Sequence, residues 1–190
     1  MRPAIAMHPH TSELLTHLEH SQAELSAAVD AVPEALRDEA PDATTWSVAH
    51  VLEHLAQTAA QTAALLERGL RKLEHDGLHP ATDTTPVLPT LDTASLLDRT
   101  RPVAAPDPVQ PKAGLTAAQA RQALANAHQA LTDALRAGDG IDVAAFRAPH
   151  PALGELGFHQ WAAFVGCHER RHAAQVRAVH EALLGRTAGV

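Results

Sequence analysis

The chain has one cysteine, no tyrosine, three phenylalanines and two tryptophans among 190 residues. Cys167 alone cannot close an internal disulfide, which fits a reducing compartment such as the cytoplasm. The scarcity of aromatic residues argues against sheets, which draw on aromatic and β-branched side chains. Basic residues are outnumbered, 15 Lys and Arg against 22 Asp and Glu. They form no cluster, so a nucleic-acid partner has no electrostatic footprint. No uninterrupted apolar run is long enough to cross a bilayer. The opening "MRPAIAMHPH" lacks an apolar core and a small-residue cleavage site, so no secretory signal is expected there.

Histidine is the residue in excess, with 14 copies. Chance placement at that frequency gives about one pair spaced i,i+4 on a helix face. Three occur: His50/His54, His75/His79 and His168/His172. A pair alone therefore says little, and its surroundings must decide.

Apolar periodicity predicts four long helices. The first spans about residues 11–32, carrying Leu14, Leu18, Leu25 and Val29. The second spans about 46–73, with Val48, Val51, Leu52, Leu55, Ala59 and Leu66 on its inner stripe. The third covers about 116–137 and the fourth about 158–184. Between the second and third lie residues 74–115, which hold seven of the 13 prolines. So long a connection is uncommon in a compact domain and is often functional. "TASLLDRT" within it suits a turn or two of helix. No strand is evident. The fold class expected is all-α, a single-domain four-helix bundle with a long crossover between its second and third helices.

On the fourth helix, with Val165 at zero and about 100° per residue, His168 falls near −60° and His172 near −20°. Both lie within the apolar stripe. Two readings follow: two hydrogen-bonded core imidazoles, or two ligands converging on a cation. On the second helix His54 lies at the flank of the stripe and His50 further out, so His54 is the better third donor. His128 reads as a core histidine. His75 and His79 read as exposed loop, and His8 and His10 as exposed tail. Cys167 lies about 100° from His168 and is expected to point outward.

His168-Glu169-Arg170-Arg171-His172 matches H-E-x-x-H, the signature of zinc proteases. The extended form of that motif needs Gly at 175 and His at 178. Gln175 and Ala178 stand there, and no later helix remains to supply a Glu, so peptidase activity is not expected. Glu169, at the edge of the inner face, could bond a metal-bound water, orient a ligand or pair with Arg170 or Arg171. It is the one candidate catalytic group. Gln175, one turn beyond His172, could accept a hydrogen bond from a ligand imidazole. Trp46 and Trp161 are candidate pocket walls or plain core.

"WSVAHVLEHLAQ" and "HPALGELGFHQWAAFVGCHERRHAAQV" together resemble the DinB-like superfamily. The shared pattern is Trp-Ser, then His-Leu eight residues after the Trp, then His-Pro-x-x-Gly, a Trp and His-Glu-x-x-His-x-x-Gln. The resemblance implies a four-helix bundle with the same crossover. It implies a metal triad of His54, His168 and His172, holding nickel or zinc with water completing the shell. The additional His50 departs mildly from the pattern. The resemblance further implies a homodimer, and activation of water or a low-molecular-weight thiol for hydrolysis or transfer to a small-molecule substrate. The competing class is a non-enzymatic bundle, a stress or interaction protein with a vestigial site.

Overall fold

The computed structural model describes residues 6–100, 104–112 and 114–187. Residues 1–5 of the expected tail and 101–103 and 113 of the expected crossover, Pro102 among them, lie outside the described residues. The protein is mostly helical.

Helix α1 runs Pro9–Asp30. Its first residue is a proline, whose missing N–H costs nothing there and whose φ suits the first turn. The expected start, near residue 11, came too late because the cap is an unusual one: the His8 ring accepts from His10 N at 3.3 Å. Helix α2 runs Val48–Asp76 and is capped by Ser47. His50 completes the reciprocal cap. Ser47 Oγ accepts from His50 N at 3.2 Å, and His50 Nδ1 accepts from Ser47 N at 3.3 Å. Each bond satisfies a donor the helix end would leave unpaired. Gly77, at φ 99°, turns the chain out of the helix, a conformation that glycine adopts without steric cost.

The short helix α3, Thr93–Leu97, is capped by Asp92 and fulfils the expectation for "TASLLDRT". Helix α4, Ala117–Ala137, opens on a Thr116/Gln119 capping box, and helix α5 runs Phe158–Thr187.

The absence of strands was not borne out. Strand β1, Arg147–His150, pairs antiparallel with β2, Gly154–Gly157, just ahead of α5. The hairpin packs Ala148 and Leu156 into the core. Trp161 Nε1 donates to Ala148 O at 3.3 Å and ties the hairpin to α5.

Helix α2 packs along α4, α1 along α5, and α2 meets α5. Leu14, Leu18, Leu52, Leu55, Leu66 and Leu131 are almost completely buried between them, each contributing about 1.5–3 kcal/mol of transfer free energy. Helices α1 and α5 approach closely at Gly166, where a β-carbon would stand 2.3 Å from His17 Nε2. This close packing corrects the expectation for Cys167. Helix α5 is buried on its α1 side as well as its α2 side, so Cys167 is 1% exposed, with its Sγ 3.8 Å from His17 Nε2.

The segment between α2 and α4 is pinned at many points. Glu13 accepts from Val87 N at 2.7 Å and Leu88 N at 3.1 Å. Glu53 accepts from Lys112 N at 2.7 Å. Val87, Leu91 and Val109 are buried. His10 belongs to this anchoring. It is buried, not an exposed tail, because its Nε2–H donates to Thr85 O at 2.8 Å. His75 and His79 are exposed, as expected, but His75 lies in the last turn of α2 and not in a loop, because the helix continues to Asp76.

Candidate metal centre

His54 on α2 and His168 and His172 on α5 meet where those two helices face each other. One nitrogen from each ring falls within 4.8 Å of the other two. His168 Nε2 lies 3.2 Å from His54 Nε2 and 3.1 Å from His172 Nε2. Zn–N bonds of about 2.0–2.1 Å place ligand nitrogens at about this mutual distance.

The opposite nitrogens decide what the Nε2 atoms can do. His54 Nδ1–H donates to the Val109 carbonyl at 2.6 Å. His172 Nδ1–H donates to Gln175 Oε1 at 2.8 Å. Each bond fixes its ring in the tautomer whose Nε2 carries a lone pair. Two lone pairs therefore aim at His168 Nε2, which as a neutral ring can donate to only one of them. A cation between the three nitrogens meets all three demands. His168 Nδ1 is buried and has no hydrogen-bond partner.

Burial keeps the rings neutral, as ligation requires. It pushes the His172 pKa down to about 3, with the nearby His54 adding to the effect. It holds His168 well below the ordinary imidazole value, with His172 and His54 next in importance. His54 is lowered by burial, against the opposing bond to Val109.

The walls are apolar and aromatic. Trp46 sits 5.1 Å from the His54 ring and stacks at 6.5 Å on His172. Phe164 stacks on His168 at 5.2 Å. Trp161 contacts Phe164 and His150, one ring removed from His168.

Of the residues singled out from sequence, the structure brings together His54, His168, His172, Gln175 and Trp46. His50 is taken up by the α2 cap. Glu169 is fully buried on another side of α5. Its Oε2 accepts from Ser21 Oγ on α1 at 2.7 Å and its Oε1 from His128 on α4 at 2.5 Å. The suggested arginine partners are engaged elsewhere. Arg170 pairs with Glu24, and Arg171 donates to Leu96 O at 3.4 Å and to Asp98 O. His128, read from sequence as a core residue, is the partner that shares this buried carboxylate.

Sequence reasoning missed Val109, Phe164 and His150. Phe164 was within reach, since it precedes His168 by one helical turn and shares its face. Val109 acts through its carbonyl, which no side-chain pattern reveals.

A profile of the DinB superfamily matches residues 17–176. The uncharacterized protein YuaE of Bacillus subtilis (strain 168) is 26% identical over 147 residues, covering 74% of this chain and 81% of its own length. No solved structure matches the chain. Three imidazoles converge where the shared pattern places them, and the match takes in the second and third long helices whole and the fourth as far as residue 176, beyond His172: the chain belongs to the DinB superfamily.

Proposed function

We propose that His54, His168 and His172 hold a divalent cation, nickel or zinc, and that the protein is an enzyme acting on a small electrophilic molecule. The reading rests on one observation: three Nε2 atoms converge while hydrogen bonds tie two of the opposite nitrogens outward. A cation there supplies Lewis acidity, which lowers the pKa of a bound water or thiol. The reaction proposed is hydrolysis, or transfer of a low-molecular-weight thiol. The Val109 carbonyl and Gln175 orient two of the ligand rings. Trp46 and Phe164 limit the access of water and give the substrate apolar walls. We further infer a four-helix bundle with its crossover as the frame, one domain, a homodimer and a cytoplasmic location. Among the described residues no helix is long and apolar enough to cross a membrane.

Elemental analysis of tag-free protein tests the reading. About one divalent ion per chain is expected, and none in His172→Ala with the helical circular dichroism unchanged. A thiol and electrophile screen on the loaded protein then identifies the reaction. Metal-free wild-type protein with an intact fold would favour the non-enzymatic alternative.

A further inference from the structure

The three imidazoles are not equivalent. His54 and His172 already hold the tautomer that ligation needs, because the Val109 carbonyl and Gln175 Oε1 keep the ring proton on Nδ1. His168 has no such anchor. Its Nδ1 is buried and has no hydrogen-bond partner among the described residues. Its Nε2 stands between the other two, 3.2 Å from His54 Nε2 and 3.1 Å from His172 Nε2. Both neighbours present lone pairs there, so the single proton of a neutral His168 finds an acceptor only on the Nε2 side.

Ligation reverses this arrangement at His168 alone. Nε2 must give up its proton, and Nδ1 must then carry one where nothing accepts it. A buried N–H without an acceptor keeps its full desolvation penalty. Outer hydrogen bonds also orient a ligand ring and raise its basicity, and His168 lacks one. Phe164 stacks on its ring at 5.2 Å, a contact that places the ring without satisfying either nitrogen. Accessibility points the same way. His54 and His172 are 4% and 8% exposed, whereas His168 is deeply set but keeps part of its surface open.

Resting on the metal-centre reading above, we propose that His168 is the exchangeable ligand, the imidazole that yields its place to the sulfur of an incoming thiol while His54 and His172 keep hold of the ion. A thiol binds as thiolate and brings negative charge to a dication held only by neutral rings. Its proton goes to solvent. The bond from the ion to His168 Nε2 breaks as the bond to sulfur forms, and the freed ring stays neutral.

Two measurements on cobalt(II)-loaded protein test this. The first compares ligand deletions, with affinity read by competition with a chromophoric chelator. His168→Ala should weaken cobalt binding no more than the loss of an outer hydrogen bond does at other such sites, about 10–100-fold. His54→Ala and His172→Ala should retain no cobalt. The second uses the wild type, so that it does not depend on how a variant folds. Ring N–H protons of cobalt-bound imidazoles are strongly shifted in proton NMR. Three such signals should fall to two when 2-mercaptoethanol brings up the sulfur-to-cobalt charge-transfer band. Equal losses in the three variants would overturn the proposal. So would a wild type that takes no thiol, or takes it with all three ring protons still shifted. Wild-type protein that takes up no cobalt would remove the metal-centre reading and this proposal with it. Cobalt uptake with three equally firm ligands removes this proposal alone.

Discussion

His8, His10 and His159 are packed as closely as His54, His168 and His172. Neighbouring ring centroids lie 4.8 Å apart in the first group and 4.5–5.0 Å apart in the second. The nitrogens differ. In the first group His8 Nδ1 accepts from the backbone of His10, and His10 Nε2–H is given to the Thr85 carbonyl. Those rings serve as fasteners for α1 and the segment that follows α2. In the second group the backbone and Gln175 take the outward nitrogens and leave the inward ones facing each other. Among the described residues no other set of His, Cys, Asp or Glu donors converges in this way. Ring proximity is therefore a poor guide to metal competence. What matters is where the second nitrogen of each ring is spent.

The sharpest way to break this comparison is to remove one ring from each group. His54→Ala should abolish metal content, and His159→Ala should leave it near one ion per chain, read by elemental analysis. Equal losses would mean that the two groups are not distinct. A smaller effect is expected at Gln175→Leu, which keeps every ligand but frees the outward nitrogen of His172. Metal affinity, measured by competition with a chromophoric chelator, should weaken by about 10–100-fold.

The smallest effect concerns protons. Burial, with His10 and His8 adding to it, pushes the His159 pKa down to about 4, against the pull of Glu13 and Asp83. The unfolded chain, with an ordinary imidazole value of about 6.5, takes up its proton first as pH falls. Stability from this group is complete above about pH 6.5 and is lost progressively down to about pH 4. In metal-free protein His159→Gln should make the acid-induced fall in Tm shallower by about 7 °C. A slope unchanged by the substitution would show that the first group is not acid-sensitive.

The four long helices were legible because each carries an apolar stripe broad enough to survive local noise. The three-histidine cluster was legible only through the resemblance, since His54 sits at the flank of its stripe and spacing alone left two readings open. The hairpin was not legible: "RAPH" and "GELG" contain no β-branched residue, and Pro149 argues against a strand. Its register depends on Gly154 at φ 74° and on packing against α5. Glu169 met Ser21 and His128 in place of the suggested arginines, and Cys167, expected to point outward, is buried. A helix buried on two sides has no single inner face, so an angle measured from one stripe cannot say what faces solvent.

The Val109 carbonyl stands 55 residues beyond the ring it orients. The segment between α2 and α4 thus belongs to the centre as much as the helices do. Any ion that favours the ordered His54 ring must, by thermodynamic reciprocity, favour the docked position of residue 109. A protease arriving at the proline-rich strap would meet a better defended substrate when the ion is present. Occupancy deep between two helices would then be written in the lifetime of an external loop.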